Sequence, residues 1–235
     1  MNKKRWMRGG GAGALTLALL TVGAGYAAQP AGAASLQPTA EPTVVQAAAQ
    51  DSTPVKKPDS SSQAAAEKKQ ILRQANLALR ALADRDFAAL ADQVGAEGLR
   101  FSAYAYVVPE SDRVLTADEL RGAWADRKPY VWGSYDGSGR PIRLDFRGYY
   151  TKFLYNLPYT APDGVGYNRT IGGGNMPNNL NEVYPDAVFV EFYVKGGRSG
   201  VPNVGGMDWG SLRFVFQPVE GKWTLVGIVG DRWTI

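Results

Sequence analysis

The chain has no cysteine and no histidine. The first absence removes disulfides, thiol nucleophiles, Cys-based zinc sites and anchoring through a lipidated Cys. The second removes Ser-His-Asp triads, imidazole general bases and His-ligated metals. Carboxylates, Tyr, Lys, Ser and Thr are what chemistry could use. Charge is also missing along one stretch, from Gly9 to Ala34, directly after Lys3, Lys4, Arg5 and Arg8. A basic start, an apolar centre at Ala14 to Val22 and an Ala31-Gly32-Ala33 cleavage pattern are the order of a secretory signal, so residues 1–33 are expected to be removed after Ala33. The competing reading is a retained anchor, since Gly9 to Ala28 could cross a hydrocarbon core of roughly 30 Å. Its glycines weaken that helix. The expected location is secreted or extracytoplasmic, with attachment at the cell surface as a variant.

A net charge of +4 would invite a nucleic-acid partner, but four of the 26 Lys and Arg residues lie in the signal, and the remainder balance the 22 acidic ones. A neutral mature chain lacks the charge that phosphate backbones require. Residues 34–63 are Ala, Pro, Ser, Thr and Gln with few large apolar side chains, which predicts a disordered linker. The remainder, 64–235, is long enough to bury its own core without staples.

Within it, Ile71, Ala75, Leu79 and Leu82 share a helical face, and Phe87, Leu90, Ala91 and Val94 mark a second short helix. Leu99 to Val108 reads as a strand. Thr116 and Glu119 form a capping box, with Leu115 and Leu120 spaced as a hydrophobic staple, for a helix running to about Ala125. Tyr130 to Tyr135 and Pro141 to Leu144 read as extended segments joined by a turn. Asp145 should cap a helix carrying Phe146, Tyr149, Tyr150, Phe153 and Leu154 on one side. Ala187 to Lys195, Ser211 to Val219 and Lys222 to Asp231 are strands, the last two joined at Glu220-Gly221. Helices followed by a long antiparallel sheet predict an α+β fold with the helices on one sheet face.

Two leading helices containing ALRALADRDFAAL, then a strand, a helix and long late strands, resemble the nuclear transport factor 2-like (NTF2-like) fold, the cystatin-like α+β roll also used by ketosteroid isomerase. The segments GLRFSAYAYV, YVWGSYDGSG, YYTKFLY, VGYN, DWGSLRFVF and GKWTLVGIVGDRWTI are similar to an uncharacterised family of exported bacterial proteins, over Leu72 to Ile235. The resemblance implies a roll with an open end. It implies no activity and transfers no catalytic residue.

Candidate site residues follow from position. Glu191 and Arg213 lie mid-strand and would face each other if their strands pair, as a structural ion pair or as a ligand's polar anchor. Trp132, Tyr149, Trp209 and Trp233, with Tyr135, Tyr150, Asp208 and Asp231, could line the mouth of a roll or fill its core. Gly172-Gly173-Gly174 lacks the residues of a phosphate loop and reads as a flexible loop. The acids show no calcium-loop spacing, so neither metal nor cofactor is expected. Three functions stay open. One is a non-catalytic module binding a small molecule, a cell-wall component or a protein. Another is an isomerase- or hydrolase-type enzyme, with Asp231 or Asp208 as base and Tyr150 or Tyr135 as hydrogen-bond donor. The last is a homodimer pairing through an outer sheet face that exposes Phe189 and Tyr193.

Overall fold

A computed structural model describes residues 60–198 and 205–234. The predicted signal and the linker up to residue 59 lie outside the described residues. The first helix, α1 (Ser60–Asp84), takes in Ser60 to Gln63, which composition assigned to the linker. Three alanines follow directly, and strong helix formers extend a helix into polar neighbours at little cost. Ile71, Ala75, Leu79 and Leu82 are buried at the expected spacing. Arg85, at φ 60, ends the helix, and the Asp86 side chain caps α2 (Phe87–Ala91) by accepting from Ala89 N at 3.0 Å.

The extended segment after Gly98 pairs only as β1 (Leu99–Ser102), shorter than the predicted strand to Val108. Beyond it the chain turns out of the sheet, with Ser102 Oγ donating to Tyr104 O at 3.0 Å. A short β2 (Arg113–Leu115) pairs back on β1. The capping box at Thr116 forms in full and starts α3 (Ala117–Gly122). β3 (Tyr130–Ser134) and β4 (Pro141–Leu144) make a separate two-stranded sheet. Asp145 caps α4 (Phe146–Tyr149), and the chain then widens into a π-helical turn (Tyr150–Leu154). All five residues of the predicted stripe are buried there.

β5 (Gly164–Tyr167) and α5 (Leu180–Val183) precede the long strands β6 (Val188–Val194), β7 (Gly210–Val219) and β8 (Lys222–Arg232). The main sheet runs β2-β1-β8-β7-β6-β5 and is antiparallel except where β1 lies parallel to β8. Glu220 (φ 50) and Gly221 (φ 75) turn the last hairpin, both left-handed as a two-residue turn of this hand needs. The architecture is therefore α+β, with helices and a mostly antiparallel sheet.

Strand alternation decides which side chains meet. Val190, Phe192, Leu212 and Phe214 face the helices and join their apolar stripes in the main core. Burying each such side chain contributes about 1.5–3 kcal/mol. The opposite sheet face is also largely covered, with Tyr193 left half-buried. A strap from Asn168 to Ala187, including α5, lies over it, and Leu180 and Tyr184 pack with Phe189, Val215 and Val229 in a second core. Asn179 pins the strap to the β1–β2 loop: its amide accepts from Val107 N and donates to Val107 O, both at 2.8 Å. Phe189 is thus buried, not exposed as the pairing reading expected, because a segment without periodicity folds back on it.

Candidate functional site

Two polar constellations stand out, one beside the β1–β2 loop and β3 and one on the strap-covered face of the main sheet. One is a cavity of about 280 Å³ between the β1–β2 loop, β3 and the strap. Tyr104, Trp132 and Tyr135 line it, Asp112 and Asp136 supply carboxylates, and Met176 reaches in from the strap. Trp132 is held from behind. It stacks on Tyr149 at 4.2 Å with rings 13° apart, and its indole N–H donates to Leu144 O at 2.9 Å. The Tyr149 hydroxyl is buried without a hydrogen-bond partner among the described residues. Burial drives its pKa far above the ordinary phenol value, and the nearby Asp112 carboxylate adds to the rise.

Asp112 sits in a tight loop where its Oδ2 accepts from Val108 N at 2.9 Å. Burial raises its pKa, and the hydrogen bonds from Val108 and Ser102 oppose the rise. Tyr135 is half-buried, and its hydroxyl accepts from Lys152 Nζ at 3.0 Å. The cavity therefore offers aromatic walls, two acceptor-only carboxylates and a buried phenol close by.

The second constellation lies under the strap. Glu191 stands opposite Arg213 in the β6–β7 register, and both are fully buried. Arg213 Nε donates to Glu191 Oε2 at 3.0 Å, and its Nη2 donates to Asp231 Oδ2 at 2.6 Å. Glu191 Oε1 accepts from Ser211 Oγ, Gly172 N and Ile171 N. Gly172-Gly173-Gly174 is the lid of this network. A Cβ on Gly172 would lie 2.4 Å from Ser211 Oγ and 2.7 Å from the Trp209 ring, so only glycine fits. Arg213 Nη1 and Asp231 Oδ1 have no hydrogen-bond partner among the described residues. Burial raises the Asp231 pKa, with the Arg213 charge opposing.

The predicted site residues separate. Trp132 and Tyr135 line the cavity, and Tyr149 backs it. Glu191, Arg213, Asp231 and Trp209 belong to the network under the strap, because odd-numbered side chains at the ends of β7 and β8 face that side. They do not share one mouth. Tyr150 is a core residue whose hydroxyl donates to Leu82 O at 2.9 Å. Asp208 accepts from Gly197 N at 2.6 Å in the β6–β7 connection. Trp233, 44% exposed, lines none of the described cavities. The bases and donors proposed from sequence are therefore not assembled as pairs.

Sequence reasoning missed Asp112, Tyr104 and Met176. They lie in loops with no pattern, and only the turn-rich PESD segment around Asp112 hinted that the chain reverses there. Among the described residues no group of three or more acids could hold a metal ion, and no helix is long and apolar enough to cross a membrane.

No family model matches the chain, and no curated protein matches it. Among solved structures, the association domain of C. elegans CaMKII aligns at 15% identity and a TM-score of 0.29, over 71% of this chain and 96% of that one. A variant of the NTF2-like designed protein Rd1NTF2_05 aligns at 14% identity and a TM-score of 0.28, over 74% of this chain and 100% of that one. These are distant structural neighbours, too remote to carry an argument about activity or assembly.

Proposed function

We propose that this is an exported, non-catalytic binding module with an NTF2-like roll, and that the aromatic cavity behind Asp112 is its ligand site. The observation that carries the reading is the composition of that cavity: aromatic walls around two carboxylates, in a space of about 280 Å³. Carboxylates accept hydrogen bonds only, so the ligand brings donors, as hydroxyl or amine groups on a compact apolar or ring-shaped body. Two leading helices followed by short strands, a helix and three long final strands support the roll. The basic and apolar order of the first 33 residues supports export.

Thermal-shift screening of the domain against small cyclic amines, sugars and carbonyl compounds tests the binding claim. A hit should raise the melting midpoint, and Asp112→Asn, which keeps an acceptor for Val108 N, should weaken it about tenfold. A hit indifferent to Asp112→Asn and to Tyr135→Ala would place the ligand elsewhere. Export is tested by N-terminal sequencing of protein recovered from the medium, which should begin at Ala34.

A second reading is favoured by Asp112, whose carboxyl pKa is raised by burial in the cavity that the Tyr135 hydroxyl also lines. An acid and a phenol sharing one cavity are a base and donor arrangement, so an enzyme of isomerase or hydrolase type would use Asp112 and Tyr135. Turnover of a bound carbonyl compound that is lost in Asp112→Asn, with binding retained, would select this reading. The pairing reading keeps only the half-buried Tyr193 of the two residues it was built on, since the strap covers Phe189.

A further inference from the structure

On the strap side of the sheet, a cleft of about 230 Å³ is lined by Asn168, Thr170, Asn178, Asn181 and Phe189. None of these side chains is charged, and three are amides. Asn168 follows β5 at φ 49, and its Oδ1 accepts from Phe189 N at 3.3 Å. That leaves its Nδ2 to donate. Asn178 Oδ1 accepts from Leu180 N at 2.9 Å, and its Nδ2 makes one long contact, 3.4 Å, to Thr170 Oγ1. Asn181 is exposed on α5, and its amide makes no hydrogen bond among the described residues. The cleft therefore holds unused donors and acceptors.

An amide places a donor and an acceptor side by side, which matches two neighbouring hydroxyl groups. A lining without charge gives no Coulombic advantage to an anion or a cation. We propose that this cleft is a second binding site, distinct from the aromatic cavity, and that it takes one ring of a neutral saccharide. The cleft is smaller than the roughly 300 Å³ at which pockets hold a whole drug-sized ligand, so the rest of a chain would continue past the exposed rim.

The test is an NMR titration of the full chain with two neutral trisaccharides, one of glucose and one of N-acetylglucosamine, following the side-chain amide signals. The signals of Asn168, Asn178 and Asn181 should shift and saturate with at least one of them, while the Trp132 indole signal stays in place. Asn181→Ala and Asn168→Gly, the latter compatible with a positive φ, should each weaken binding by about fivefold or more. Their thermal midpoints should stay close to that of the parent, which separates a lost contact from a lost fold. No saturable shift with either sugar up to about 10 mM would overturn the proposal. Saturation of the same signals by trialanine but not by the sugars would overturn it too, as would unchanged affinity in both variants.

Discussion

Arg213 is the residue whose removal the structure predicts to be most costly. Its guanidinium separates two buried carboxylates, and without it both are stranded in a space sealed by the glycine lid. Breaking a buried ion pair by removing one partner costs about 3–5 kcal/mol, so Arg213→Leu should lower the urea midpoint sharply. Asp231 behaves differently. Its folded pKa is raised above the ordinary value of 3.8, chiefly by burial, so the fold favours the protonated form. Stability from this group is fully present below its unfolded pKa and is lost as pH rises through the folded one. Asp231→Asn keeps an oxygen for Arg213 and removes the surplus negative charge. It should therefore be tolerated at neutral pH and should flatten the decline in stability as pH rises above the ordinary carboxylate range, measured by urea unfolding at several pH values. The facing of Glu191 and Arg213 was legible in the sequence, because alternation along two strands places them on one side. The third member was not, since nothing in the order of residues aligns Asp231 with Ser211.

Elements with their own chemical punctuation were the legible ones. The capping box at Thr116, the cap at Asp145 and the turn at Glu220-Gly221 all form where local residue types require them. Thr116→Ala should cost about 1 kcal/mol, read from the shift in thermal midpoint. β2, β5 and α5 have three or four residues each and no periodicity to read. The strap was misread for the opposite reason. Three consecutive glycines look like freedom in a sequence, yet Gly172 is backed against Trp209 and Ser211 so closely that its lack of a side chain is what allows contact. Gly172→Ala should lift the strap: amide exchange at Ile171 and Gly172 should accelerate by an order of magnitude or more, with the main-core strands still protected. Because Met176 lies on the same strap and lines the aromatic cavity, this variant should also weaken any ligand held there.

Across the whole molecule, the predicted site residues fell into two groups because Trp132 and Tyr135 lie at the separate β3–β4 sheet, whereas Glu191, Arg213 and Asp231 lie on the strap-covered face of the main sheet. The sequence announces α+β layers through its helical stripe and its alternating strands, and the structure has them. It does not announce the cavity, whose walls come from the β1–β2 loop, from β3 and from Met176, brought together only by tertiary packing. The central claim is that this cavity is where the protein takes its ligand. The most direct measurement is an NMR fragment titration of the domain that follows the Trp132 indole N–H and the Met176 methyl signal, repeated in Asp112→Asn. Both signals should move and saturate together with an amine- or hydroxyl-bearing ring compound, and the Asn variant should need about tenfold more of it. Saturable binding that leaves Trp132 and Met176 unmoved would contradict the account.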